Sequence, residues 1–126
     1  MTGKADISLA RAYDGPDGRP GARLLVDRVW PRGRRKEDLR LDGWIRDVAP
    51  GTALRKWFGH DPAKWAEFRD RYRAELDANR DAVERCLAWC RKGPVVLIYG
   101  AKDRVHNQAV VLRDHLQEAL VLEKSA

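Results

Sequence analysis

The segment that most limits the fold of this chain is Val95-Val96-Leu97-Ile98-Tyr99, bounded by Gly93-Pro94 before it and Gly100 after it. An unbroken apolar run of strand length, closed by turn residues at both ends, has no face it can offer to water. It therefore reads as a strand buried on both faces of a parallel or mixed sheet. Such a strand needs a layer above and a layer below, so the remaining sequence must supply both more strands and helices.

The remaining pattern meets that need. Asp6 to Tyr13 alternates Ile7, Leu9, Arg11 and Tyr13 against Ser8, Ala10 and Ala12, which reads as a half-buried strand. The stretch Asp14 to Gly21, rich in glycine and proline, is expected to be a loop. Arg23 to Val29 reads as a second strand, central because Leu24, Leu25 and Val26 are apolar on both faces, and Trp30-Pro31 ends it. Arg32 to Arg40 is polar and basic with room for one helical turn, and Trp44 to Val48 is expected to form a short strand closed by Pro50-Gly51. Thr52 is then placed as the cap of a short helix, and Asp61 as the cap of a longer one with Pro62 at its first position and the inward stripe Trp65, Phe68, Tyr72, Leu76. A third helix is expected from Asp81 to Gly93, a last helix carries Ala109, Leu112 and Leu116, and Leu120 to Leu122 is read as a terminal strand. Strands and helices in this order predict an α/β fold: a small three-layer sandwich whose mostly parallel central sheet is flanked by helices.

At 126 residues the chain is sized for a single domain over 1–126, and 44% hydrophobic residues with five tryptophans suffice for one core. No apolar run approaches the ~20 residues of a bilayer span, and residues 1–20 have no apolar signal region, so a cytoplasmic protein without a membrane partner is expected. Cys86 and Cys90, four apart on a helix with Val83 and Leu87, read as small buried hydrophobes. His60, His106 and His115 lack the spacing of a zinc site, and neither a metal nor a cofactor is implied. The net charge of +6 and a pI near 9.7 make an anionic partner the natural one to test.

In open α/β sheets ligands bind beyond the carboxyl ends of the strands, and two segments lie there. Asp27-Arg28-Val29-Trp30-Pro31-Arg32-Gly33 leaves the second strand carrying two arginines and an indole. Arginine's planar fork suits carboxylate or phosphate, and Trp30 suits a flat ligand. The plainer alternative pairs Asp27 with a nearby arginine and packs Trp30 and Pro31 into a corner. Tyr99-Gly100-Ala101-Lys102-Asp103-Arg104-Val105-His106-Asn107 leaves the apolar strand and opens the last helix, whose first N–H groups favour an anion. Here Lys102 would add positive charge, His106 could act as acid or base with Asp103 beside it, and Asn107 would bind. The plainer alternative makes Asp103 a helix cap. Glu67, Asp70 and Glu75 read as solvated charges. Nucleotide-loop, hydrolase-elbow and zinc-protease signatures are absent from the sequence.

Five stretches together resemble a known family. They are D-R-V-W-P-R-G at Asp27 to Gly33, L-D-G-W-I-R-D-V-A-P at Leu41 to Pro50, L-R-K-W-F-G-H-D-P at Leu54 to Pro62, F-R-D-R-Y-R-A-E-L at Phe68 to Leu76, and L-I-Y-G-A-K-D-R-V-H-N-Q-A at Leu97 to Ala109. The chain is similar to the YeaO-like branch of the bacterial family called domain of unknown function 488. The resemblance implies a compact α/β fold and a cytosolic bacterial setting, and it implies no reaction. Members commonly carry serine after the proline of the second stretch, where this chain has Gly51. Other branches place Cys-His-Arg after the last strand, where this chain has His106-Asn107-Gln108, which disfavours thiol chemistry there.

The leading expectation is thus a pocket for a phosphate-bearing or other anionic small ligand, with Arg28, Trp30, Arg32 and Asn107 binding and Lys102, Asp103 and His106 available for hydrolytic or transfer chemistry. Nucleic-acid binding through Arg32, Arg34, Arg35, Lys36 and Arg40, or protein binding through exposed Trp44 or Trp57, are the alternatives.

Overall fold

A computed structural model describes residues 5–14 and 18–125. Four strands, β1 (Ile7–Arg11), β2 (Ala22–Leu25), β3 (Gly43–Trp44) and β4 (Val95–Tyr99), form one sheet in the order β1-β4-β2-β3, and every neighbouring pair is parallel. β4 lies between β1 and β2, with Leu97 level with both Leu9 and Leu24, and all five of its residues are buried. The apolar run thus sits where its lack of polar alternation requires.

Its side chains divide by parity, as the two-residue period of a strand demands. Val95, Leu97 and Tyr99 join Ile7, Leu24 and Val26 in the larger core, while Val96 and Ile98 join Ala10, Ala12, Leu25 and Leu39 in a smaller one. The larger core is closed by α2 (Thr52–Phe58), α3 (Trp65–Ala78), α4 (Arg80–Lys92) and α5 (Gln108–Ser125). The smaller one is closed by the single turn α1 (Lys36–Leu39) with Trp30, Leu41 and Trp44, so the two outer layers differ greatly in thickness.

The stripe Phe68, Tyr72, Leu76 is buried as its spacing predicts, with Trp65 only partly buried at its end. Tyr72 donates its hydroxyl proton to the Val48 carbonyl oxygen at 2.5 Å, which satisfies the polar atom of an otherwise wholly buried ring. Cys86 and Cys90 are free and buried, and burial pushes their thiols up to about 12 and about 11.

Several local expectations change: β2 ends at Leu25 and not at Val29, and Asp61 caps the 3-10 turn Pro62–Lys64 that leads into α3. Leu120 to Leu122 is the last part of α5, because Leu120 extends the four-residue stripe Leu112, Leu116, leaving Val121 and Leu122 exposed. Only Gly43 and Trp44 pair as β3; Arg46–Val48 is a 3-10 turn, with Ile45 and Val48 turned into the larger core. Gly51, not Thr52, caps α2. Glu75 is not simply solvated, since its Oε1 accepts the Gly51 N–H at 2.9 Å and so binds a backbone donor at the start of α2. The expected loop from Asp14 to Gly21 falls partly on 15–17, outside the described residues.

Candidate functional site

Because β2 and β4 are parallel neighbours, the chain leaves the sheet from both on the same edge. The Val26 N–H still reaches the Ile98 carbonyl at 3.0 Å, and one residue later the backbones part. Asp27 spans the gap: its Oδ2 accepts the Gly100 N–H at 2.8 Å, and its Oδ1 accepts the Gln108 side-chain amide. Gly100 is required for this approach, since a Cβ there would lie 2.8 Å from Asp27 Oδ2. The two candidate segments are thereby joined through one carboxylate, and a cavity of about 410 Å³ opens beside it.

One wall of the cavity is apolar, with Phe58 and Phe68 stacked at 4.2 Å between centroids and Val29, Trp30 and Pro31 beyond them. Arg28, Arg32 and Arg55 supply positive charge, and His60 adds an imidazole. Several arginines elsewhere are committed to carboxylates, Arg91 to Glu84 and Glu123, Arg104 to Asp14, Arg73 to Glu118 and Arg85 to Asp47, while Arg11 and Arg23 donate to backbone carbonyls. At the cavity, among the described residues, the side chains of Arg32, Arg55 and His60 have no hydrogen bond or ion pair. Arg28 donates from Nη2 to the Ala49 carbonyl oxygen at 3.1 Å, while its buried Nε has no partner.

Asp27 does not neutralise this charge fully. Burial pushes its carboxyl up to about 6, against the opposing pull of the Gly100 and Gln108 hydrogen bonds and of Arg55 and His60. His60 reaches the cavity by an uncommon backbone path. α2 stops at Gly59, whose N–H returns to the Arg55 carbonyl, and both Gly59 (φ 52°) and His60 (φ 58°) are left-handed. For a residue with a Cβ that conformation is uncommon and is found preferentially at functional or turn positions.

Of the residues singled out in the sequence, Arg28, Trp30, Arg32 and Asn107 line the cavity. Trp30 is fixed by its indole N–H, which donates to the Arg34 carbonyl at 2.7 Å, and by an edge contact with Trp44 at 5.5 Å, so it is both a corner packer and a wall. Asn107 is buried and ties the start of α5, donating to the Asp103 carbonyl and accepting the Val110 N–H. Lys102, Asp103 and His106 stand outside the cavity lining. Asp103 accepts the Val105 and His106 N–H groups at 2.9 Å and lies 2.9 Å from His106 Nδ1, which holds its carboxyl down at about 2. His106 rests edge-on to Trp65 at 5.3 Å, and Lys102 is exposed. Arg55, His60 and Gln108 are not marked by the sequence as site residues, and the plainer alternative for Asp27, pairing with an arginine, gives way to hydrogen bonds from Gly100 and Gln108. The available signal was the Gly59-His60 pair within L-R-K-W-F-G-H-D-P.

The basic segment is only partly free: Arg35 pairs with Asp38 at 3.4 Å, and the Arg34 guanidinium covers the Tyr13 ring at 5.8 Å. Trp44 and Trp57 are half-buried beneath Arg46 and Arg71. Among the described residues no helix is long and apolar enough to cross a membrane, and no three His, Cys, Asp or Glu side chains gather as a metal site.

Comparison with known proteins places the sequence in a family. The chain is 41% identical over 112 residues to the uncharacterized protein YeaO of Escherichia coli (strain K12), covering 89% of this chain and 97% of that one. It is 45% identical over 76 residues to the uncharacterized protein Rv3073c of Mycobacterium tuberculosis (strain H37Rv), covering 60% of this chain and 64% of the relative. No solved structure matches the chain. A family profile described as the inactive DUF488-N3 subclade matches residues 6–126, and the chain belongs to that family of YeaO-like DUF488 proteins.

Proposed function

We propose that this protein binds a small anionic ligand, phosphate-bearing or carboxylate, at the carboxyl edge of its sheet, without turning it over. The observation that carries this reading is the concentration of Arg28, Arg32, Arg55 and His60 around one cavity, three of them without a hydrogen-bonding or carboxylate partner among the described residues. Arg32 and Arg55 are exposed and unpaired, so an incoming anion gives each a charge-assisted partner without breaking an existing ion pair. Binding without chemistry is favoured by the description of the family as inactive and by the position of His106 outside the cavity lining. In this reading Asn107 shapes the wall, and Lys102, Asp103 and His106 hold and charge the adjoining turn.

Titration calorimetry with phosphate, sulfate, acetate, succinate and a nucleotide panel tests it. Arg55→Ala and Arg28→Ala should each weaken binding about tenfold, the value of one charge-assisted hydrogen bond, whereas His106→Ala should leave affinity within about twofold. If none of these anions binds, the reading is wrong. A salt-steep affinity for DNA or RNA, lost on substituting exposed Arg32, Lys36 and Arg40, would favour nucleic acid as the partner instead.

A further inference from the structure

The cavity is bipolar, and this narrows the class of ligand it can take. Its cations Arg32 and Arg55, and the His60 ring, are free to meet an anion, while Asp27 presents a carboxylate to the same space. Each oxygen of Asp27 carries one hydrogen bond from the protein, from Gly100 on Oδ2 and Gln108 on Oδ1, and a carboxylate oxygen has two lone pairs. Those two donors fix the carboxylate rigidly and leave acceptor capacity on both oxygens. A purely anionic ligand would meet repulsion from Asp27; a ligand that also brings an N–H donor would not.

Resting on the anion-binding reading above, we propose that the pocket selects ligands that carry an anionic group and an amine on one small, partly apolar scaffold, with Asp27 as the residue that recognises the amine. The anion sits on the free cations, the scaffold lies along Phe58, Phe68 and Val29, and the amine donates to the spare lone pairs of Asp27. The charged and titratable groups that bear on Asp27 are Arg55 and His60, with its chain neighbour Arg28 also on the cavity wall. Tyr72 feels the Asp27 charge from the buried side, where its hydroxyl is committed to Val48.

The test uses matched probes on the full chain at pH 7.5: ethyl phosphate against 2-aminoethyl phosphate, and phenyl phosphate against its 4-aminomethyl derivative. The amine-bearing member of at least one pair should bind about tenfold tighter, as one added charge-assisted hydrogen bond provides. Asp27→Asn should erase that preference while strengthening binding of the amine-free phosphates, because a repelling charge is gone. Retained phosphate binding also reports that the variant is folded. Glu118→Gln, which removes a distant surface carboxylate, should keep the preference. Equal affinity within both pairs, or a preference that survives Asp27→Asn, overturns the proposal and leaves the anion-binding reading standing. Failure of all four probes, of inorganic phosphate and of acetate and succinate overturns both.

Discussion

Replacing Asp27 with asparagine should make this protein more stable as pH rises, relative to the parent. The carboxyl stands at about 6 in the fold against an ordinary 3.8, so its ionised form is disfavoured by about 2.2 pH units, or about 3 kcal/mol at 1.36 kcal/mol per unit. The native state therefore holds a proton that the unfolded chain has released between those two values. Stability from this group is complete below 3.8, declines from there upward, and is lost once pH passes about 6. Asparagine has no proton to lose. Its oxygen still accepts the Gly100 N–H, and the Gln108 amide can turn over to accept its NH2. The stability of Asp27→Asn minus that of the parent should rise by roughly 2 to 3 kcal/mol between pH 4 and pH 8, most of it before pH 7. Urea unfolding at pH 4, 5, 6, 7 and 8, in buffers free of phosphate and sulfate, measures this difference directly. A difference flat to within about 0.5 kcal/mol, or one that falls with pH, would refute the assignment of Asp27 as a buried carboxylate opposed chiefly by desolvation.

Other substitutions probe the surrounding frame. Gly100→Ala drives a Cβ to 2.8 Å from Asp27 Oδ2, so it should break the tether, cost about 1–3 kcal/mol in thermal or urea unfolding, and weaken phosphate binding along with it. Tyr72→Phe orphans the buried Val48 carbonyl and should lower stability by about 1–3 kcal/mol, visible as a drop in urea midpoint at unchanged slope. Leu112→Ala, at a position with 0% exposure in the larger core, should cost about 2–5 kcal/mol by the same assay.

The elements differ in how much of their place in the fold is written in the local sequence. The apolar run 95–99 determined its own position, because a strand with no polar face can only be an inner one, and parity then assigned its side chains to two cores. The four-residue stripes of α3 and α5 were equally legible, since helical period and burial coincide there. Leu120 to Leu122 was misread because three apolar-rich residues carry too little period to separate a helix end from a strand. The two segments at the strand ends could be named from sequence, for glycine, proline and charge mark where strands stop. What no local pattern could specify was that they meet. That follows from the strand order β1-β4-β2-β3, which makes Asp27 and Gly100 hydrogen-bonding partners 73 residues apart. The same order makes Arg55 and His60, from a helix and turn of unremarkable composition, face that carboxylate, and turns His106 toward Trp65. Periodicity is a property of neighbours in the chain, so the sequence determines strands, helices and their buried faces. Electrostatic partnership is a property of neighbours in space, and here only the packing of β2 beside β4 decided it.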